Sequence, residues 1–419
     1  MKRNRLIVAL VFLIFFVISF LTNILGPLVP DIINSFSLSL TLAGFLPFSF
    51  FVAYGVMSIP AGMLVERYRE KRIMLWAFLV ALAGALLFAI LPRFSVALPS
   101  LFLIGIGMAM LQVTINPLLR VAGGEEHFAF NSVFAQLVFG LASFLSPKVF
   151  SYLVLNLPET SGRGGPFLEI LRNVVPDRLS WVSLYWVFSL VTLAMVMIIA
   201  AVRLPRVELK EEERAGAWAV YKELLRKKIV VLYFLGIFAY VGTEQGVANW
   251  ISKFLAIYHG VDPQTRGAST VSLFWGLMTA GCLLGLVLLK FFDSRRVLIG
   301  FAAAAVVTLS CALFGPGPLA IIAFPLVGFF ISVMWSVIFS LALNSLDKHH
   351  GSFSGILVTG VIGGALVPLA VGWLGDRLGL RLGMMFLYLT LAYILSIGFW
   401  SRPLIANATI RLRKKRAEA

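Results

Sequence analysis

Apolar residues in this chain come in long unbroken runs, not in the alternating or one-sided patterns of soluble strands and helices. A run of about 20 apolar residues is what a helix needs to cross a bilayer. Twelve runs of roughly this length follow one another. Six lie near 6–30, 41–65, 73–92, 97–121, 128–156 and 181–202, and six near 229–257, 267–290, 296–314, 318–345, 352–374 and 381–400. The hydropathy pattern therefore predicts twelve membrane-spanning helices. A longer polar stretch, 203–228, divides them six and six. Met1-Lys-Arg-Asn-Arg5 followed by apolar residues resembles a signal peptide. The run reaches about Leu25, however, and no small-residue cleavage site follows, so it reads as a retained first span.

Composition sharpens this to an integral membrane protein. The 419 residues are 60% hydrophobic and 13% charged, which would leave a soluble monomer with too much apolar surface. The net charge of +16 would suggest nucleic acid in a soluble chain. Here it is sorted by loop instead. With the N-terminus inside, the even-numbered loops and both tails carry most of the Lys and Arg, including Arg67, Arg69, Lys71, Arg72, Lys290, Arg295, Arg296 and the tail Arg411–Arg416. That asymmetry predicts both termini on the cytoplasmic side of a plasma (inner) membrane, with the lipid bilayer and no nucleic acid as partner. The expected state is a monomer.

A weak repeat supports two related halves. Gly62, Arg67, Arg72 and Leu75 align with Gly285, Lys290, Arg295 and Leu298 at an offset of 223 residues; the same offset carries Gly140 onto Gly363 and Gln112 onto Trp335. The expected organisation is a six-helix half over 1–202, a cytoplasmic linker over 203–228, a second six-helix half over 229–401 and a basic tail over 402–419. No enzyme is expected, since no paired catalytic groups gather near one membrane face. His127, His259, His349 and His350 fall at span ends or loops without metal-ligand spacing, and Cys282 and Cys311 read as small core residues. The loops are too short for a receptor's soluble domain.

Polar residues inside the runs carry the candidate chemistry. Glu244 sits near the middle of the seventh run with Gln245 beside it and Asn249 one turn on. A carboxylate at bilayer depth costs several kcal/mol and by default marks a functional site. No basic residue at the same depth offers itself as a structural partner. A buried carboxylate can take up a proton near neutral pH; flanked by amide and carbonyl oxygens, it can instead hold Na⁺. Gln112, Asn116 and Arg120 fall on one helix face. Amides suit hydroxyl groups, which both donate and accept, and they also serve as glue between packed helices. Asn23 and Gln136 are polar at plausible depth. Trp250, Trp275 and Trp335 fit either stacking on a ligand or packing and interfacial anchoring, with Trp335 favoured as the repeat mate of Gln112. Glu66, Arg67 and Arg72 suit a gating charge network or simple positive-inside anchoring.

Three stretches carry a family resemblance. Leu111-Gln-Val-Thr-Ile-Asn-Pro117 is similar to a Leu-Glu-x-x-x-Asn-Pro motif, and Tyr240-Val-Gly-Thr-Glu244 to Tyr-Val-Gly-x-Glu. Ile338-Phe-Ser-Leu341 is followed by Gly363-Gly364, Pro368, Gly372 and Asp376. A degraded loop motif, Gly62-x3-Glu66-Arg67, accompanies them. Together these resemble the fucose/glucose/galactose symporter family of the major facilitators, with features of sodium-coupled glucose-transporter relatives. The resemblance implies an all-α membrane protein of two pseudo-symmetric six-helix halves, with a site near the midplane between them. Two departures stand out: Gly26 occupies the place of a span-one Asp implicated in proton coupling, and Gln112 that of the span-four Glu. Only Glu244 remains as a coupling carboxylate. The expected function is monosaccharide (hexose) uptake by alternating access, coupled to H⁺ or Na⁺ at Glu244, with no other cofactor. A multidrug or lipid-like exporter and an uncoupled sugar facilitator are the alternatives.

Overall fold

The computed structural model describes residues 5–123, 128–158, 165–204, 218–346 and 349–404. All regular structure in it is helical. Twelve helical segments are long and apolar enough to cross a membrane: Arg5–Phe36, Leu40–Val65, Glu70–Ile90, Phe94–Ile115, Phe134–Asn156 and Ser180–Ala201, then Lys228–Ala248, Pro263–Phe291, Ser294–Phe314, Gly317–Leu343, Ser352–Leu378 and Leu380–Trp400. They are spans 1 to 12 below. An even number of spans places both termini at one face, the terminal face; the opposite one is the far face. Most of the linker, 205–217, and the tail from 405 lie outside the described residues.

Two buried hydrophobic clusters divide the molecule. One is built almost wholly from residues between Ile7 and Ile199, the other from residues between Tyr221 and Ile397. Each half thus has its own core. The exceptions locate the junction. Val29, Ile33 and Ala43 of the first half are buried in the second cluster, and Ala268 and Ala365 of the second half in the first. These residues sit at mid-membrane or nearer the far face.

Small residues let the halves meet. A Cβ at Gly44 would fall against Leu369, one at Gly372 against the Leu40 carbonyl, and one at Gly276 against the Phe144 ring. Spans 2 and 11 therefore touch nearly backbone to backbone, the usual role of small residues between membrane helices, and on span 8 Gly276 leaves room for the Phe144 ring of span 5. Ser272 adds a hydrogen bond to the Phe144 carbonyl at 2.5 Å. Polar clasps complete the closure of the far face. Asp376, in the last turn of span 11, accepts the Leu40 and Thr41 amides at 2.7 Å each and the Thr41 hydroxyl at 2.5 Å. Asp31 accepts from the Gln264 side chain at 3.0 Å.

Spans 1 and 7 are both interrupted. The helix Arg5–Thr22 stops and restarts as Leu25–Phe36. Pro27 explains the break, because its ring clashes with the carbonyl four residues back, at Asn23. Lys228–Ala248 likewise stops and continues as Ile251–His259. Here Asn249 turns its side-chain amide onto the Gln245 carbonyl at 2.9 Å, a local bond that competes with helix continuation. The two breaks face each other, and a Cβ at Gly26 would fall on the Ala248 carbonyl oxygen. Gly26→Val is therefore expected to wedge the spans apart and lower stability by about 1–3 kcal/mol. The thermal-unfolding midpoint in detergent should fall; an unchanged midpoint would contradict this contact.

The first span runs further than the hydropathy pattern indicated, to Phe36. That extension brings Asp31, 9% exposed, inside the helix.

Candidate functional site

Glu244 lies in the last turns of Lys228–Ala248, just before the break in span 7. It is half-buried in a helix whose neighbouring residues are almost all buried. Tyr240, one turn earlier, donates its hydroxyl to Glu244 Oε2 at 2.6 Å, and the Gln245 amide donates to Oε1 at 3.0 Å. Both donors are neutral. Among the described residues Glu244 forms no ion pair. The thiol of Cys282, on span 8, bonds the Ser332 carbonyl at 3.3 Å.

Trp335 on span 10 stands at the edge of this cluster. Its ring lies 6.0 Å from that of Tyr240 and stacks on Phe339 at 5.8 Å. Like Glu244, it is half-buried. Glu244 and Trp335, both anchored to Tyr240, thus present a carboxylate and an indole from neighbouring helices. Gln245 is 3% exposed and packs by Gly364 of span 11, whose other neighbour is Phe51 of span 2. The amide next to the carboxylate therefore reaches the junction of the halves. Asn249 is buried and bonds Gln245 through both its backbone carbonyl and its amide oxygen.

The remaining candidates are placed less centrally. Trp250 is 1% exposed and gives its indole N–H to the Pro368 carbonyl at 3.2 Å, while Trp275 is 2% exposed and packs edge-on to Phe274. Both indoles sit within the packing of the second half. Asn23 donates to the Ser143 hydroxyl at 2.8 Å, and Ser143 shares a 2.6 Å bond with Ser19, so these three tie span 1 to span 5. Gln112 is half-buried on span 4 and Gln136 is exposed, one turn from Gly140, whose Cβ position is filled by Thr279 of span 8. The side chains of Asn116, Arg120 and Glu66 lie outside the described set. Arg67 lies over the Tyr68 ring at 5.2 Å and Arg72 is exposed. Between them Lys71 caps the end of span 6, donating to the Ala200 and Val202 carbonyls at 2.8 and 2.7 Å. That lysine satisfies orphan carbonyls within one half.

Sequence reasoning gave no role to Tyr240, Cys282 or the two far-face clasps. The i, i+4 spacing of Tyr240 and Glu244 was a usable signal. Cys282 carried none, because its neighbourhood exists only through tertiary packing. Asp376 had a signal too: a carboxylate in a helix's last turn opposes that helix's dipole and looks for positive partners elsewhere.

The comparisons with known proteins fit this architecture. The chain is 30% identical over 400 residues to a glucose/galactose transporter of Brucella abortus, covering 92% of each chain. Among solved structures, a bacterial homologue of the human lysosomal transporter Spinster, inward-facing and unoccupied, superposes with a TM-score of 0.78 at 15% identity, covering 95% of this chain and 96% of that one. The transporter FucP in its outward conformation superposes with a TM-score of 0.67 at 23% identity, covering 94% and 98%. Residues 11–368 match the Major Facilitator Superfamily as a whole, and with the twelve spans, the paired cores and the 30% identity this chain belongs to that superfamily of membrane transporters.

Proposed function

We propose that this protein takes up a monosaccharide, a hexose, by alternating access, with H⁺ or Na⁺ bound at Glu244 as the driving ion. The observation that carries the reading is the carboxylate itself, held only by neutral donors, with an indole against the Tyr240 ring that binds it and an amide leading to the junction of the halves. A carboxylate at that depth without a basic partner calls for a proton or a small cation. The Trp335 face and the amides offer the apolar plane and the paired donors and acceptors that a sugar ring presents. The name of the Brucella abortus relative supports the substrate class. The halves are taken as 1–202 and 229–401, joined by the 203–228 linker. Loop charge favours a plasma (inner) membrane location with cytoplasmic termini, which makes the far face extracytoplasmic and the uptake reading natural.

The test uses purified protein in proteoliposomes with labelled hexoses and an imposed pH or Na⁺ gradient. One-to-one coupling to a tenfold ion gradient supports about tenfold accumulation, the equivalent of one pH unit or 1.36 kcal/mol. Accumulation under neither gradient would overturn symport. An exporter would instead lower cellular accumulation of lipophilic cations on expression.

A further inference from the structure

The loop between spans 5 and 6 carries a helix of its own on the far face, Pro166–Val174. Its residues sort onto three sides, since positions three and four apart share a helix face. Leu168 and Leu171, with Val175 just past the helix, are buried in the core of the first half. Glu169 and Asn173 are polar and exposed, and Arg172 lies on their side. Phe167, Ile170 and Val174 make the third side, apolar and exposed, Ile170 by 63%. Three large apolar side chains open in one stripe mark a surface that something covers.

Arg172 sets the height of this helix. Its guanidinium donates to the Leu157 carbonyl at 2.8 Å and to the Asn156 carbonyl at 3.1 Å, two of the carbonyls that the end of span 5 leaves without helical partners. Span 5, Phe134–Asn156, has 23 residues. At 1.5 Å per residue that is about 34 Å, against a hydrocarbon core about 30 Å thick. The far end of span 5 therefore falls where acyl chains meet headgroups, and the helix is held within one arginine's reach of it. Tyr152 and Leu155, in the last turns of span 5, are also exposed. The surface that span 5 turns to the lipid thus runs on up to the helix.

Height, charge and patterning together select the occupant. Glu169 and Arg172 leave the helix without net charge, so attraction to anionic headgroups does not hold it to a surface. Protein on one side, polar residues on another and an apolar stripe between them, at headgroup level, is the arrangement of a helix lying in the membrane plane. We propose that Pro166–Val174 lies in the interface of the far leaflet, with Phe167, Ile170 and Val174 among the acyl chains, and so fastens the first half to the lipid at that face. The corresponding join in the second half, between spans 11 and 12, is Gly379 alone, so the fastening belongs to one half. It stands whichever solute or ion the central site takes.

The test attaches a nitroxide label at one position at a time, through Phe167→Cys, Glu169→Cys, Ile170→Cys, Asn173→Cys or Val174→Cys, in the full chain with Cys282→Ser and Cys311→Ser. All five native side chains are exposed, so labelling leaves the packing of the helix in place. In phosphatidylcholine vesicles, electron paramagnetic resonance compares collisions with oxygen, which concentrates among acyl chains, and with a water-soluble nickel chelate. Labels at 167, 170 and 174 should favour oxygen and those at 169 and 173 nickel, so that the ratio reverses around the helix. Nickel favoured at all five positions would place the helix in water and overturn the proposal. Few collisions with either reagent at 167, 170 and 174 would show the stripe covered by protein (a second copy or the other half) and would equally overturn it. Adding phosphatidylglycerol to the vesicles should leave the ratios unchanged. Oxygen favoured at 167, 170 and 174 only in its presence would overturn apolar insertion as what holds the helix there.

Discussion

Glu244→Gln is expected to abolish concentrative uptake while leaving exchange of hexose across the membrane. The substitution keeps the side chain's volume, so the packing of span 7 should survive. Oε1 and Oε2 presently accept from Gln245 and Tyr240. A glutamine can still accept one of these bonds, but it cannot bind a proton or neutralise a cation. The roughly tenfold accumulation set by a tenfold ion gradient should collapse to equality. Counterflow of labelled sugar, which needs binding and alternation but no ion gradient, should remain measurable. Loss of both would make Glu244 a substrate or folding residue. Retention of both would remove it from coupling and place the coupling group elsewhere in the chain.

Asp376→Asn is expected to open the far face. The carboxylate gathers three donors at the start of span 2, where free amides and the helix dipole both favour negative charge. Asparagine would turn one acceptor into a donor pointed at these donors. Asp376 is exposed, so screening keeps the loss to about 1–2 kcal/mol, a factor of roughly 5–30 in the ratio of closed to open states. Spin labels at the far ends of spans 2 and 11 would report it by pulsed-dipolar distances. A shift towards longer distances is expected, and an unchanged distribution would show that the glycine contacts alone hold this face. Transport would then alter chiefly in how fast the far face opens.

Much of the fold was legible in the chain because membrane spans declare themselves one at a time. Each needs only its own apolar run, and the repeat from Gly62 to Gly285 ordered the runs into halves before any contact was known. The interruptions were less legible. Pro27 could be read as a break, but the break at Asn249 depends on a side chain choosing a backbone carbonyl. The site was legible in its charge and not in its surroundings. Glu244 stood out because burial of a carboxylate is rare and expensive. Among Trp250, Trp275 and Trp335 the repeat already favoured Trp335, and packing separates it, half-buried, from two indoles sealed within the second half. Asp31 shows the converse case. An end-of-span estimate at residue 30 placed it in a loop, while the longer helix buries it beside Gln264.

Sugar-driven ion movement tests the coupling role of Glu244 most directly. Proteoliposomes are prepared with equal pH and equal Na⁺ on both sides, and D-glucose or D-galactose is added outside while internal pH and labelled Na⁺ are followed. Coupling at Glu244 predicts that hexose entry carries one of these ions inward, and that Glu244→Gln removes the ion signal without removing sugar entry. Hexose entering the wild-type vesicles with neither ion moving would contradict it.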